Sequence, residues 1–568
     1  DPDRENGWEQ NRPAVLNWLR DNEEEQKKII KSLLGSENRD YLNWLKNILP
    51  GEIDNIANNP EITGKGLAER LAEGAVLPMY GMPSRTRVLY HKLSGSNALT
   101  IDRDLELAIT EFAPGAQKTK DKSIHTSIGF TSPLFKRGSR WVSWPNDPIP
   151  CKKYFQHCKA CGYASTSEAI EELEFCPGCG ISKDENQRFV QYQIVTPLAF
   201  RTDLTSGRDA KDENLHFGIP SALAEQSDER ETHLLEEANC KISLSDSGRV
   251  WRINDNAGNL FRGSTTSTPP PPATNHAENI GIPHLQNQWI EESYSQARGD
   301  DLEEYALAAG KTTDILRISP ANVPDGIDLN PAKIEIRAAA ISAAFLLQRL
   351  LADKLDIDPE EIEVASIVHR TINEGQGVAE IVLSDRLANS AGFVMQAYNE
   401  FRDLLNDACF PEKEDSYPYV IQHEDHRKCD SACYDCLKVY KNMSYHGLLD
   451  WRLAVSYLKA LNNIDYRAGL DDNFDIPELY GWLETAAKLR DSFTRFFGYR
   501  NIEWEDVPGF IAGNNKFIIT HPMWDKQRPS GKLARAIAQA GGQVDGYIDT
   551  FNLLRRPGWC HEHGMNNN

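Results

Sequence analysis

The sequence predicts an α/β protein of mixed α+β type, divided into several domains. Three observations lead there. The chain has 568 residues, 40% hydrophobic and 26% charged, ordinary values for a chain with packed cores and a length that suits about two to four domains. After residue 311, strand-like runs rich in Val and Ile alternate with long amphipathic stretches. Seven of the eleven cysteines fall into two tight groups, and a Ser/Thr/Pro-rich stretch separates those groups.

Residues 1–63 read as a helical segment. "WEQNRPAVLNWLRD", "EEQKKIIKSLLG" and "RDYLNWLKNIL" place apolar residues at three- and four-residue intervals. Residues 64–262 read as an α+β domain. A helix, a Pro/Gly turn and a strand fill 64–93, strand-like pieces and turns fill 105–130, and the first cysteine group occupies 151–180. "RFVQYQIVTPLAF" follows as β structure, and 241–262 has the pattern of a hairpin with Asn and Gly near its turns. "GSTTSTPPPPATNHAENIG" (263–281) has linker composition.

Residues 282–568 then read as an α/β domain containing the second cysteine group at 423–446. Strands are expected at "TTDILRI", "EIEVASIVHRTI", "VAEIVLSDR" and "KFIIT". Helices are expected at 333–355, within 389–408, and at 446–461, 475–497 and 530–540.

The formal charge of −22 argues against a surface that coats nucleic acid, because phosphate contact needs local positive potential. Any DNA contact must come from a focused patch. Candidates are Arg85 and Arg87, Lys136, Arg137 and Arg140, and Arg555 and Arg556. No stretch approaches the roughly 20 apolar residues of a membrane span. The chain opens on Asp1 rather than a methionine, as a fragment or a processed chain would. Cysteines clustered at ligand spacing favour metal sites in a reducing compartment, so the expected location is cytoplasmic.

The first group, Cys158-x2-Cys161 and Cys176-x2-Cys179, has the form of two knuckles. Four thiolates satisfy the tetrahedral preference of zinc and leave no open position, so a structural zinc ribbon is expected. In the second group, Cys429-x3-Cys433-x2-Cys436, a helical turn would place all three sulfurs on one face. Spacing alone does not choose a fourth ligand among His423, His426, Cys409 and His446; His426 completes the expected set. An iron–sulfur cluster is the alternative occupant, since thiolates suit both metals. The radical-SAM version of that cluster needs a barrel downstream, and residues 437–568 open instead with a helical pattern.

Several catalytic motifs are missing. No G-x4-G-K-[ST] phosphate loop occurs, and neither does H-E-x-x-H or G-x-S-x-G. The expectation is therefore a chain with no ATPase or nuclease centre of its own. "SDRLANSAGF" (384–393) puts a turn at a helix start where amides could hold an anion, though an ordinary strand-to-helix turn is the simpler reading.

"CDSACYDCLKVYKN" followed by "HGLLDWRLA" resembles the cysteine motif of the MrfA-type zinc-binding domain family of superfamily 2 helicase systems. "IRAAAISAAFLL", "IVLSDRLANSAGF", "FIITHPMWD" and "DTFNLLRRPGW" are similar to its flanking parts. The wider chain resembles DrmB of the bacterial DISARM anti-phage system, or the C-terminal half of a fused Druantia-type defence helicase. The resemblance implies a helicase-associated zinc-binding module in antiviral defence. Its metal ligands would include Cys429, Cys433 and Cys436. Its partners would be DNA and an ATP-driven superfamily 2 motor, carried by a DrmA-like subunit or by the N-terminal half of the same polypeptide. A metal-stapled protein-interaction scaffold is the competing expectation.

Overall fold

A computed structural model describes residues 8–35, 39–59, 62, 66–74, 76–77, 85–94, 97–138, 140–171, 173–183, 188–204, 208–209, 220–226, 231–266, 285, 288–295, 299–372 and 375–563. The Pro/Gly turn expected near 78–84 lies outside these residues, as does the linker expected at 263–281 from 267 onward. Residues 263–266 end the strand Phe261–Thr266. The architecture is mixed α/β, with helices and several sheets.

Two long antiparallel strands, Cys240–Asn254 and Glu303–Pro320, form the spine. The hairpin expected over 241–262 is not formed. "SDSG" is absorbed as a bulge where the register shifts between Ser245 and Gly248, and the strand runs on to Asn254. Its partner lies far downstream, where local turn signals cannot point. Glu303–Pro320 continues the sheet on both sides. Ala306 and Leu307 pair in parallel with Ile194 and Val195, while Ile315–Ile318 pair antiparallel with Ile381–Ser384 of the strand Gly377–Asp385. That strand pairs in turn with Ile362–Thr371. One sheet therefore joins residues from both sides of 263–281.

The helix Ile334–Leu355 covers this sheet. Buried residues occur all round it, as expected for a helix enclosed by its neighbours. Its alanines at 338, 339, 340, 343 and 344 let the helix Trp451–Asn462 approach closely. That second helix starts later than the 446 expected from sequence. Asp450 caps it, accepting from the amides of Arg452 and Leu453, while Tyr440–Tyr445 form a separate 3-10 turn. A helix at Leu105–Glu111 also replaces the first of the strand-like pieces expected there. Asp104 caps it by accepting from the Glu106 amide.

At the C-terminal end Arg500–Trp504, Val507–Ala512 and Asn515–Thr520 pair antiparallel. Gly546–Asp549 joins in parallel after the helix Gly531–Gln539, as a crossover requires. Among the described residues no helix is long and apolar enough to cross a membrane.

A buried charge cluster ties the halves of the sheet together. Arg252 donates to Glu106 at 2.9 Å and also to Glu363. Lys311 donates to Glu363 at 2.8 Å, and Arg386 reaches Glu106 at 2.8 Å and Glu363 at 3.1 Å. In the turn "SDRLANSAGF", the Asp385 carboxylate takes the position an external anion would need. It accepts from the amides of Ala391, Gly392, Phe393 and Val394 and from the Ser390 hydroxyl.

Candidate metal centres

The first centre grows from the strand Cys151–Cys158 and the turn that follows it. Gly162 donates to the Cys158 carbonyl at 2.8 Å and Gly180 to the Cys176 carbonyl at 2.8 Å, closing two equivalent knuckles. Both glycines have positive φ, 77° and 72°. Gly162 also needs its missing side chain, because a Cβ there would meet the Ile367 carbonyl. The knuckle is docked at that point: the His369 amide donates to the Cys161 carbonyl at 2.7 Å.

Cys158, Cys161, Cys176 and Cys179 converge, with sulfur–sulfur distances of 3.7 Å for Cys158–Cys179 and 3.6 Å for Cys161–Cys176. A disulfide needs about 2.0 Å. Tetrahedral zinc, with bonds of about 2.3 Å to sulfur, sets ligand edges of about 3.8 Å. The group fits zinc.

The second centre is a loop rather than the helical turn considered from sequence. A 3-10 turn, Glu424–Lys428, presents His426 to the sulfurs that follow it. His426 Nδ1 lies 2.9 Å from the Ile421 carbonyl, which leaves Nε2 aimed at Cys433 Sγ, 3.4 Å away. Such a carbonyl partner fixes ring orientation in metal-ligating histidines. Cys433 and Cys436 sulfurs are 3.6 Å apart, and the Cys433 amide donates to Cys436 Sγ at 3.0 Å. His426, Cys429, Cys433 and Cys436 form one tight group that fits zinc, with one imidazole and three thiols. A hydrogen bond with Cys429 draws the Cys436 thiol down to about 4. Hydrogen bonds with Cys436 and Cys433 hold His426 up at about 9 against its burial.

The other candidate ligands are placed elsewhere. Cys409 is buried in the apolar core. His423 Nδ1 faces Asp425 at 3.3 Å, and His446 Nε2 lies against Asn442 Oδ1 and the Val439 carbonyl. In the C-terminal "CHEHG", Cys560 is buried and His561 stacks on Phe497 while bonding Tyr499.

Residues beyond the ligands hold the second loop, and the "LDWR" after it supplies two of them. Arg452 donates to the Cys429 carbonyl at 2.7 Å and to the Arg427 carbonyl at 2.9 Å, and the Trp451 indole reaches Cys429 at 3.2 Å. From the other side Arg349 and Tyr417 donate to the Cys436 carbonyl at 2.7 and 2.9 Å. Sequence reading did not assign these residues. The proximity of Trp451 and Arg452 to the cysteines was a signal; Arg349 offered none.

The basic patches differ in their exposure. Lys136 and Arg137 are exposed on a hairpin whose second strand is Arg140–Ser143; the Arg140 side chain lies outside the described residues. Arg87 is buried and donates to the Pro197 carbonyl at 2.9 Å, while Arg85 donates to the Gly310 carbonyl at 2.5 Å. Arg555 holds the carbonyls of Gly447 and Leu449, and Arg556 stacks on Trp559.

Residues 343–437 match the family model of the MrfA Zn-binding domain. The match takes in all four residues of the second group. No curated protein matches the chain. Among solved structures, one described as the crystal structure of the DUF1998 helicase MrfA bound to DNA is similar at 10% identity and a TM-score of 0.28, over 73% of this chain and 43% of that one. The chain thus spans less than half the length of that helicase.

Proposed function

We propose that the chain is a helicase-associated zinc-binding module that supports an ATP-dependent DNA motor in bacterial anti-phage defence, working in the cytoplasm. The motor would be a superfamily 2 helicase, carried on a DrmA-like subunit or on the same polypeptide. The observation that carries this reading is the second centre: a four-ligand group within the stretch that matches the MrfA Zn-binding domain. The proposed ligands are Cys158, Cys161, Cys176 and Cys179 at one site and His426, Cys429, Cys433 and Cys436 at the other. Zinc would act as a staple at both, since four protein ligands leave no position for a reactive water. The chain's own residues would hold the loops and position DNA for a motor.

Occupancy has a direct test. Protein purified without oxygen is expected to be colourless with two zinc ions per chain, because zinc has no visible absorption and thiolate-bound iron does. A stoichiometric brown chromophore would replace zinc by an iron–sulfur cluster at one centre.

DNA contact is tested on the exposed hairpin. Binding by the complex with the motor should weaken as salt rises. Lys136→Glu together with Arg137→Glu should reduce the slope of log K against log salt by about 0.7–0.9 for each lost phosphate contact. ATPase activity is expected only with the motor present. The charge of −22 favours a second reading, a scaffold that binds other proteins. Salt-insensitive DNA binding that ignores the hairpin charges would select it.

A further inference from the structure

An open cavity of about 350 Å³ lies where the N-terminal helices, the ribbon strand and the two spine strands meet. Its size falls within the roughly 300–1,000 Å³ of small-ligand pockets. Among the described residues four cationic side chains line it, Arg85, Arg87, Lys153 and Arg249, against one carboxylate, Glu73, whose charge acts on Arg87. Lys311 also borders it, but its ammonium is held by Glu363 and by the carbonyls of Asp385 and Arg386. Lys153 reaches Glu168, itself largely exposed, at 3.2 Å. Among the described residues no carboxylate pairs with Arg85 or Arg249.

We infer that this cavity is a phosphate-binding site, for a ligand whose phosphate is taken by Arg249 and Arg85 at its mouth and wall. Four cations around one concavity in a chain of net charge −22 are the reverse of what composition alone would place there. Guanidinium groups match phosphate oxygens with paired donors, which a scattered lysine surface does not. The walls are firm. Arg85 is anchored on the Gly310 carbonyl, and Gly310 lies flat on Trp251, where a Cβ would collide with the indole. Trp251 and Leu105 add apolar surface beside the charges. The phosphate belongs either to a DNA strand or to a free nucleotide, and the inference does not depend on the DNA reading above.

The test uses the full chain titrated separately with ATP, inorganic phosphate and a single-stranded oligodeoxynucleotide. Arg249 is exposed, so its variants should fold. At least one ligand is expected to lose affinity roughly tenfold or more in Arg249→Glu, the scale of a lost charged hydrogen bond, and to keep most of it in Arg249→Lys. Loss confined to ATP or phosphate assigns a free phosphoester. Loss for the oligonucleotide assigns a DNA phosphate. If Arg249→Glu changes no affinity, the site is refuted even where the oligonucleotide still binds through Lys136 and Arg137. If the small ligands weaken only as much as they do in Lys136→Glu, a general field explains the effect and the site is again refuted. Arg249-dependent ATP binding in a chain that ignores DNA would uphold the site while removing the DNA reading.

Discussion

Cys436→Ser is expected to empty the second centre and to lower the stability of the domain around it by several kcal/mol, because ligand binding and local folding are one equilibrium at a structural metal site. Cys436 is fully buried. Its sulfur accepts the Cys433 amide, and its carbonyl receives both Arg349 and Tyr417. A serine hydroxyl is a poor zinc ligand and leaves those donors around a loop that no longer closes. The damage should spread along the clamp: the Arg452 and Trp451 contacts to Cys429 would loosen, and with them the start of the helix Trp451–Asn462. Metal content, denaturant unfolding and hydrogen exchange over 423–462 measure the effect. His423→Ala is the control, since that imidazole faces Asp425 rather than the sulfurs, and should keep its zinc. A Cys436→Ser protein with full zinc and an unchanged midpoint would refute a closed site here. Cys176→Ser should behave more locally. The ribbon's apolar cluster is small, built around its own cysteines and Phe189, so the stretch between Cys158 and Phe189 should loosen while the spine sheet persists.

The contrast between the two centres shows what a sequence can carry. In the ribbon, both knuckles are local, and two C-x2-C pairs with glycines beside them mark the candidate ligands within 22 residues of chain. In the second centre, the gathering of His426 depends on the Ile421 carbonyl and a 3-10 turn that spacing does not encode. Arg349 reaches the loop from 87 residues away, and nothing in its own surroundings marks it.

The same division runs through the fold. The helix Ile334–Leu355 is legible because its signal is internal, a long run of Ala, Leu and Ile with no Gly or Pro. The strand Cys240–Asn254 is not, because its partner Glu303–Pro320 lies far along the chain and overrides the turn-like "SDSG". Charged residues were the least legible. Arg85 and Arg87 sit one residue apart in a basic run, yet one is buried and both face a cavity completed by Lys153 and Arg249.

Glu363→Ala is expected to destabilise the protein by roughly 3–5 kcal/mol, the usual cost of removing one partner from a buried ion pair. Glu363 receives Arg252, Lys311 and Arg386, and with Glu106 it faces three cations. The side chains of Glu363, Arg252 and Lys311 are at most 10% exposed. Without Glu363, one carboxylate is left among three positive groups, of which Arg252 and Lys311 are buried, and Lys311 retains only carbonyl acceptors. An exposed pair such as Lys27–Glu24, screened by water, should cost far less when broken. Location amplifies the difference. The cluster draws on the helix Leu105–Glu111, both spine strands and the strand Ile362–Thr371, so its loss acts on both sides of 263–281. Urea unfolding followed by tryptophan fluorescence and far-UV circular dichroism measures the cost and shows whether those parts still unfold together. The double variant Glu363→Ala/Lys311→Met should be less destabilised than Glu363→Ala, because it also removes the stranded ammonium. If Glu363→Ala shifts stability by less than about 1 kcal/mol, or the double variant is the worse of the two, water or another anion must already neutralise these cations.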